Sequence, residues 1–448
     1  MNAFSRRGAC PALSAPMQTG DGLLVRLNPV TEGLSPKLLI ELAESALRHG
    51  NGIMEVTARG SLQIRGLTAE SAALLAAEVD ALGIAVRTGV PIETGPLAGI
   101  DPQEIADPRL MAGRIRMAVE EAGLATRLGP KVAVIVDGGG QLTLDGVAAD
   151  VRLKVVRSDI ASRWLVSVAG DGQTARSLTV ADEDAARDIA VAALRMVAEK
   201  GREAHTRDLS GRQLASLASW HSTAPPSVLS GRTEGGAVEH SRLAIGLFNL
   251  NNGHALGIGL PYGSMPADKI IGLAQSALAF DTTEIRLAPG RALLFLGQPA
   301  DTSQPLQQTA TTLGFVTSAT DPRTRIAACP GAPACASGRI ATRDIAEAIA
   351  AENADTLDFT LHISGCAKGC AHPGPAALTI VGDENGAGLV VNATAKALPA
   401  GYRPGYDAAR GISRVAAMIH SARFQGEAAA ACLTRLGTAG IAETYKQE

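Results

Sequence analysis

A chain of 448 residues is too long for one hydrophobic core and calls for roughly two to four domains. Its 46% hydrophobic residues can fill such cores, while a net charge of −3 and an aromatic content of 3% exclude a chain built to grip nucleic acid by charge and base stacking. No apolar run reaches the ~18–20 residues of a membrane-spanning helix. Ser5-Arg6-Arg7 has the form of a twin-arginine export signal but runs into Gly8-Ala9-Cys10-Pro11, not a sustained apolar stretch, so the expected location is the cytoplasm. Of the 41 basic side chains 33 are arginine, a supply that suits a carboxylate-rich ligand or simply marks an arginine-rich genome.

Along the chain, residues 22–66 fall without a gap on residues 253–297, with identities at Gly22/Gly253, Leu42/Leu273, Ala43/Ala274, Ser45/Ser276, Ala46/Ala277, Leu47/Leu278, Leu62/Leu293 and Gly66/Gly297. Each copy reads as a strand (Leu23–Leu27; Ala255–Leu260), a helix with apolar residues at three- and four-residue spacing, and a two-stranded hairpin. The hairpin strands lie near Ile53–Thr57 with Leu62–Arg65, and near Glu284–Ala288 with Ala292–Leu296, turning at Gly60 and Gly290. The β-α-β-β order is that of a ferredoxin-like half. A second echo, Asp107-Pro108-Arg109 and Asp321-Pro322-Arg323, is read as opening a helix-then-strand block after each copy, with buried strands near Lys131–Val136 and Phe359–Ser364.

The expected fold class is therefore α+β and duplicated: a ferredoxin-like half-domain over 1–100, an α/β domain over 101–205, a polar Gly/Ser/Pro-rich linker over 206–240, a second half-domain over 241–317 and a second α/β domain over 318–448. Of the cysteines, Cys10 and Cys432 are read as free thiols. Cys329-x5-Cys335 and Cys366-x3-Cys370 form two tight pairs, which in a reducing compartment point to metal before disulfide. Four thiolates suit a [4Fe–4S] cubane; a structural zinc site is the competing reading, although zinc favours shorter loops between paired cysteines.

C-x5-C followed by S-G-C-x3-C in a duplicated chain resembles the sirohaem-dependent nitrite and sulfite reductase superfamily. The resemblance implies two half-domains and two α/β domains, the second bearing the iron–sulfur cluster, with Cys370 bridging to a sirohaem iron in the reductases. The superfamily's R-x-T-x-R-x-x-x-Q signature is matched by Thr57, Arg59 and Gln63, with Glu55 in place of the leading Arg. Arg26, Arg109 and Lys131 match further basic positions, whereas Ala133 and Ala377 replace an expected Lys and an expected acid. Dense positive charge is what reduction of a small oxyanion requires, and here it is thinned.

Within the superfamily the chain is most similar to the precorrin-3B synthases, at Arg7–Pro11, Gly20–Leu27 and Ser364–Pro373. That branch implies dioxygen-dependent hydroxylation and lactone formation on precorrin-3A, a tetrapyrrole held as substrate instead of cofactor. Arg26, Thr57, Arg59, Gln63, Arg109 and Lys131 would bind its carboxylates, and Cys329, Cys335, Cys366 and Cys370 the [4Fe–4S] cluster. Oxygen activation favours a redox metal with an open position, so a mononuclear non-haem iron joins the expected cofactors, with His254 and His372 as the nearest candidate ligands. Gly257-Ile258-Gly259 is followed by Pro261 at the wrong spacing for a dinucleotide fingerprint, so a separate electron-donating reductase is the expected partner. The alternative is a true nitrite or sulfite reductase carrying sirohaem.

Overall fold

The computed structural model describes residues 11–30, 33–157, 162–219, 242–353 and 358–447. The first repeat comprises β1 (Met17–Thr19), β2 (Gly22–Leu27), a helix over Pro36–His49, β3 (Ile53–Val56) and β4 (Leu62–Leu67). Ser35 starts the helix by accepting the Leu38 N–H, and Pro36 sits in the first turn, where its missing N–H leaves nothing unpaired. Leu39, Leu42, Ala43 and Ala46 form its buried stripe. The first α/β unit follows: β5 (Ile92–Thr94), a helix over Pro108–Glu121, β6 (Val134–Asp137), β7 (Ala149–Val156), β8 (Arg163–Gly170), β9 (Arg176–Ala181) and a helix over Glu183–Lys200.

The second repeat comprises β10 (Gly246–Asn249), β11 (His254–Gly259), β12 (Ser264–Pro266), a helix over Ala267–Ala279, β13 (Glu284–Ala288) and β14 (Ala292–Leu296). The last unit runs through β15 (Ile326–Ala328), a helix over Thr342–Glu352, β16 (Leu361–Ser364), β17 (Ala376–Asp383), β18 (Gly386–Ala393), β19 (Gly401–Arg403) and the helices Ala408–Ala422 and Ala429–Lys446. Both α/β sheets have the same order, β5-β6-β7-β8-β9 and β15-β16-β17-β18-β19. In each, the first three strands are parallel and the rest antiparallel.

The duplication holds down to strand register. Val25 faces Ile64 and Glu55 faces Gln63 in the first half; Leu256 faces Phe295 and Arg286 faces Leu294 in the second, the same pairs displaced by one constant offset. The halves also exchange edges. Met265 on β12 pairs with Met54 on β3, and reciprocally Leu34 bridges Ile285 on β13. The two repeat helices bury their stripes in one shared core, Leu42, Ala43 and Ala46 with Leu273, Ala274 and Ala277. The half-domains are thus one pseudo-twofold body. Leu273→Ala, at the centre of that core, should cost about 2–5 kcal/mol of stability; a denaturation midpoint equal to the parent's would show that the halves do not depend on this seam.

The structure departs from expectation in three places. Residues 206–219 do not begin a linker: Thr206–Asp208 form a 3-10 turn and Gly211–Ser219 a helix that buries Leu214 and Leu217 in the core of the first α/β unit. The rest of the expected linker, 220–240, lies outside the described residues. The two Asp-Pro-Arg segments share a local cap but not a place in the topology. Asp107 opens a full helix after β5, whereas Asp321 opens the short turn Pro322–Arg325 ahead of β15. Consequently Cys329 follows a strand, β15, and not a helix. No helix among the described residues is long and apolar enough to cross a membrane.

Candidate functional site

The cysteine pairs occupy the loops leaving the carboxyl ends of two adjacent parallel strands, β15 and β16, where Ala328 and Ile363 are partners. That edge is where open parallel sheets place ligands. The loops cross through glycine: a Cβ on Gly365 would lie 3.1 Å from the Cα atoms of both Gly331 and Gly338. The closeness lets the Gly365 N–H donate to Cys329 Sγ at 3.2 Å. Cys335 N donates to Gly331 O and Thr342 Oγ1 to Cys329 O, which fixes the first loop from both ends. Burial pushes the Cys370 thiol up, and so do the nearby Cys329, Cys366 and Cys335, so all four sulfurs share one electrostatic neighbourhood.

Among the described residues no three His, Cys, Asp or Glu side chains are gathered around a single metal-ion position. A cubane does not ask for that, because each thiolate takes its own corner iron. Four thiols on two rigid loops, with a backbone N–H aimed at one sulfur, fit such a cluster.

The first half meets these loops with the polar face of its sheet. Val25, Met54 and Ile64 point into the core; the alternate residues Arg26, Gln63 and Glu55 form a cross-strand row on the other face. Gln63 is satisfied in one amide orientation, its oxygen accepting from Arg26 Nε at 3.0 Å and Nη2 at 2.7 Å while its nitrogen donates to Glu55 Oε2 at 3.1 Å. Glu55 is also paired with Arg65 (3.2 Å) and with Arg343 (3.3 Å), the latter just after the first cysteine loop. Arg65 in turn holds Asp21 through two bonds of 2.7 and 2.8 Å. Burial alone would raise the Asp21 carboxyl; the Arg65 guanidinium overrides it and leaves the group below its usual range. In the second half the equivalent row is Gly257, Leu294 and Arg286, and Leu294 packs with Leu97 and Leu142 of the first α/β unit. Of the three positions only Arg286 is polar in the second half, and it is paired with Glu284, whereas all three are polar in the first.

The Gly20-Asp21-Gly22 segment therefore has three separate duties. A Cβ on Gly20 would come within 2.5 Å of Cys335 Sγ, Asp21 anchors Arg65, and Gly22 takes φ +118° before β2. Gly20→Ala should push the Cys335 loop away and lower iron content; a variant isolated with the parent's full iron would show that the contact is not needed.

The other expected substrate residues are scattered. Thr57 Oγ1 closes the hairpin turn by accepting from Arg59 N and Ser61 N. Arg59 is exposed and donates to Ala148 O at 2.7 Å, on the first α/β unit. Arg109 is engaged bidentately with Asp107, and Lys131 is exposed ahead of β6. His254, at the start of β11, pairs with Ser303 Oγ at 2.6 Å, and His372 with Pro375 O at 3.2 Å. Cys432 is fully buried in the core of the last unit, and Cys10 lies outside the described residues.

Three features beside the cysteines escaped sequence reading. Arg65 and Arg343 complete the ion network; Arg65 lies two residues past Gln63, a spacing that strand alternation makes legible. Arg291 donates to Ala371 O at 3.2 Å, directly beyond Cys370. His362 on β16 is fully buried with neither ring nitrogen bonded, and its ring meets that of His372 edge-on at 5.7 Å. Burial, then His372 and Arg291, push its pKa down to about 4, so the ring is neutral.

Residues 15–82 match the family model described as the nitrite/sulfite reductase ferredoxin-like half domain. A precorrin-3B synthase from a Sinorhizobium species is 38% identical, over 99% of this chain and 96% of the relative. The structure of the Mycobacterium tuberculosis NirA protein superposes with a TM-score of 0.69 at 18% identity, over 94% of this chain and 84% of that one. The latter likeness is one of fold.

Proposed function

The chain belongs to the precorrin-3B synthase family, and on that premise we propose that it is the oxidoreductase that converts precorrin-3A to precorrin-3B in cobalamin biosynthesis. The observation that carries this reading is the 38% identity to a precorrin-3B synthase along 99% of the chain. In the proposed reaction one atom of dioxygen becomes the hydroxyl at the meso carbon between rings A and D. The other leaves as water, with two electrons and two protons drawn from a separate reductase, and the ring-A acetate closes the lactone. The reading places the protein in the cytoplasm.

Cys329, Cys335, Cys366 and Cys370 would hold a [4Fe–4S] cluster, which when bound supplies one-electron transfer at the edge of the site. The chain's own residues orient the macrocycle. Gln63 fixes the Arg26 guanidinium within the cross-strand row, on the face where a substrate carboxylate would be received. Thr57 shapes the turn that presents Arg59, and Lys131 offers an exposed ammonium. Arg109, engaged here with Asp107, would have to exchange that carboxylate for one on the macrocycle to bind substrate.

Glu55 argues against the reductase alternative. It takes the place of a guanidinium in the row and engages Arg65 and Arg343, so this face has less positive charge to hold a small oxyanion, whereas a large ligand with carboxylates at its rim can pass over it. Protein purified without oxygen should contain iron and acid-labile sulfide in about equal amounts, roughly four of each per chain, and a broad cluster absorption without sirohaem bands. Stoichiometric zinc without sulfide would sink the cluster assignment. Bound sirohaem would support the alternative.

A further inference from the structure

The hairpin β13–β14 carries an arginine at a backbone position made for glycine. Arg291 has φ +66°, in the left-handed region, and is the repeat equivalent of Gly60, which has φ +78°. The second half thus holds a strained side chain where the first half uses none. Room is made for that side chain. A Cβ on Gly263 would lie 2.7 Å from Arg291 Cδ and 2.7 Å from Val56 O, so the arginine passes through a gap left by a glycine alongside the end of β3. The Gly290 N–H, bonded to Ala58 O at 3.0 Å, ties the two hairpin tips together there.

Arg291 consequently reaches out of the second half toward the polar face of the first. Among the described residues its guanidinium makes one hydrogen bond, to Ala371 O in the second cysteine loop, and has no carboxylate within ion-pairing distance. Glu55 acts on it only through space. A guanidinium has five N–H donors and keeps its charge, so one carbonyl leaves most of its capacity unused. The contrast with its neighbours is sharp: Arg65 and Arg343 on the same face are both ion-paired.

We propose that Arg291 is a substrate-binding residue, whose guanidinium takes a peripheral carboxylate of the tetrapyrrole between the hairpin tips and the cysteine loop. The proposal rests on the precorrin reading above. Arg291 and Arg26 then hold the macrocycle from the two halves of the pseudo-twofold body, and Ala371 O orients the first of them. A planar fork bound bidentately to a carboxylate gives both strength and orientation, which a lysine reproduces only in charge.

The test is anaerobic binding of precorrin-3A to the intact wild type, Arg291→Gly and Arg291→Lys, with cluster absorbance and thermal midpoint measured on each. Arg291→Gly should weaken binding about ten- to a hundredfold. It should keep its cluster absorbance and a midpoint no lower than the parent's, because glycine relieves the backbone. Arg291→Lys should recover part of the affinity. Unchanged binding in Arg291→Gly, beside a wild type that binds, overturns the proposal and leaves the functional reading standing. Loss of binding together with loss of cluster or a lowered midpoint overturns it as well, in favour of a mere brace for the cysteine loop. A wild type that does not bind precorrin-3A removes the functional reading and this proposal with it.

Discussion

Cys370→Ser is expected to strip the protein of its cluster absorption and to lower precorrin-3A turnover more than about 100-fold, beyond the loss typical of outer-sphere changes at metal sites. The size follows from where the thiol sits. Cys370 stands where burial and three neighbouring thiols all disfavour its anion. Four thiolates would share that neighbourhood only with iron to neutralise them, so in the proposed site ligation and loop order would depend on each other. Serine keeps the loop's volume and removes the soft donor. Iron and sulfide analysis beside a turnover assay reads both consequences, and a variant with a complete cluster and full turnover would remove Cys370 from the ligand set. Thr57→Ala gives the contrast: it loosens a turn and touches no sulfur, so the cluster should stay.

What could be read from the sequence and what could not divides along the range of the forces involved. The β-α-β-β order was legible because the periods of helix and strand are local, and two copies in one register supported each other at Val25/Leu256 and Leu62/Leu293. The edge exchange was not legible. Ser264–Pro266 is three residues long and carries no pattern, and its pairing with β3 is decided by the packing of two helices distant in sequence. The Asp-Pro-Arg echo misled because the motif encodes a cap, and a cap serves a helix after β5 as well as a turn before β15. Residues 206–219 looked like linker because their polar side chains hide Leu214 and Leu217, whose spacing fits a single short helix. The two cysteine pairs stood out by their spacing, and the structure puts them on the loops after two adjacent parallel strands. Arg291 did not stand out, since its meaning lies in a backbone angle and in the glycine it replaces.

Glu55 marks the largest distance between a motif comparison and a physical reading. Against the reductase signature it counts as a missing arginine; in the structure it is the shared anion of Arg65 and Arg343 and a partner of Gln63. Glu55→Arg, which restores the signature, is therefore expected to damage the protein. It removes the carboxylate that Arg343 is paired with among the described residues and places a third guanidinium against Arg65 and Arg26, on a face where the Glu55 side chain is 14% exposed. Breaking a buried pair in this way costs about 3–5 kcal/mol, a large share of the roughly 5–15 kcal/mol that holds a domain folded. Asp21 cannot absorb the loss, since both its oxygens already accept from Arg65. Glu55→Gln should cost less, because it removes charge without adding the opposite one and still offers an oxygen to Arg65. Chemical denaturation of the three proteins gives the order parent, Gln, Arg from most to least stable. A Glu55→Arg variant as stable as the parent would show that the network is dispensable, and that the basic row of the reductases could be rebuilt here at no structural cost.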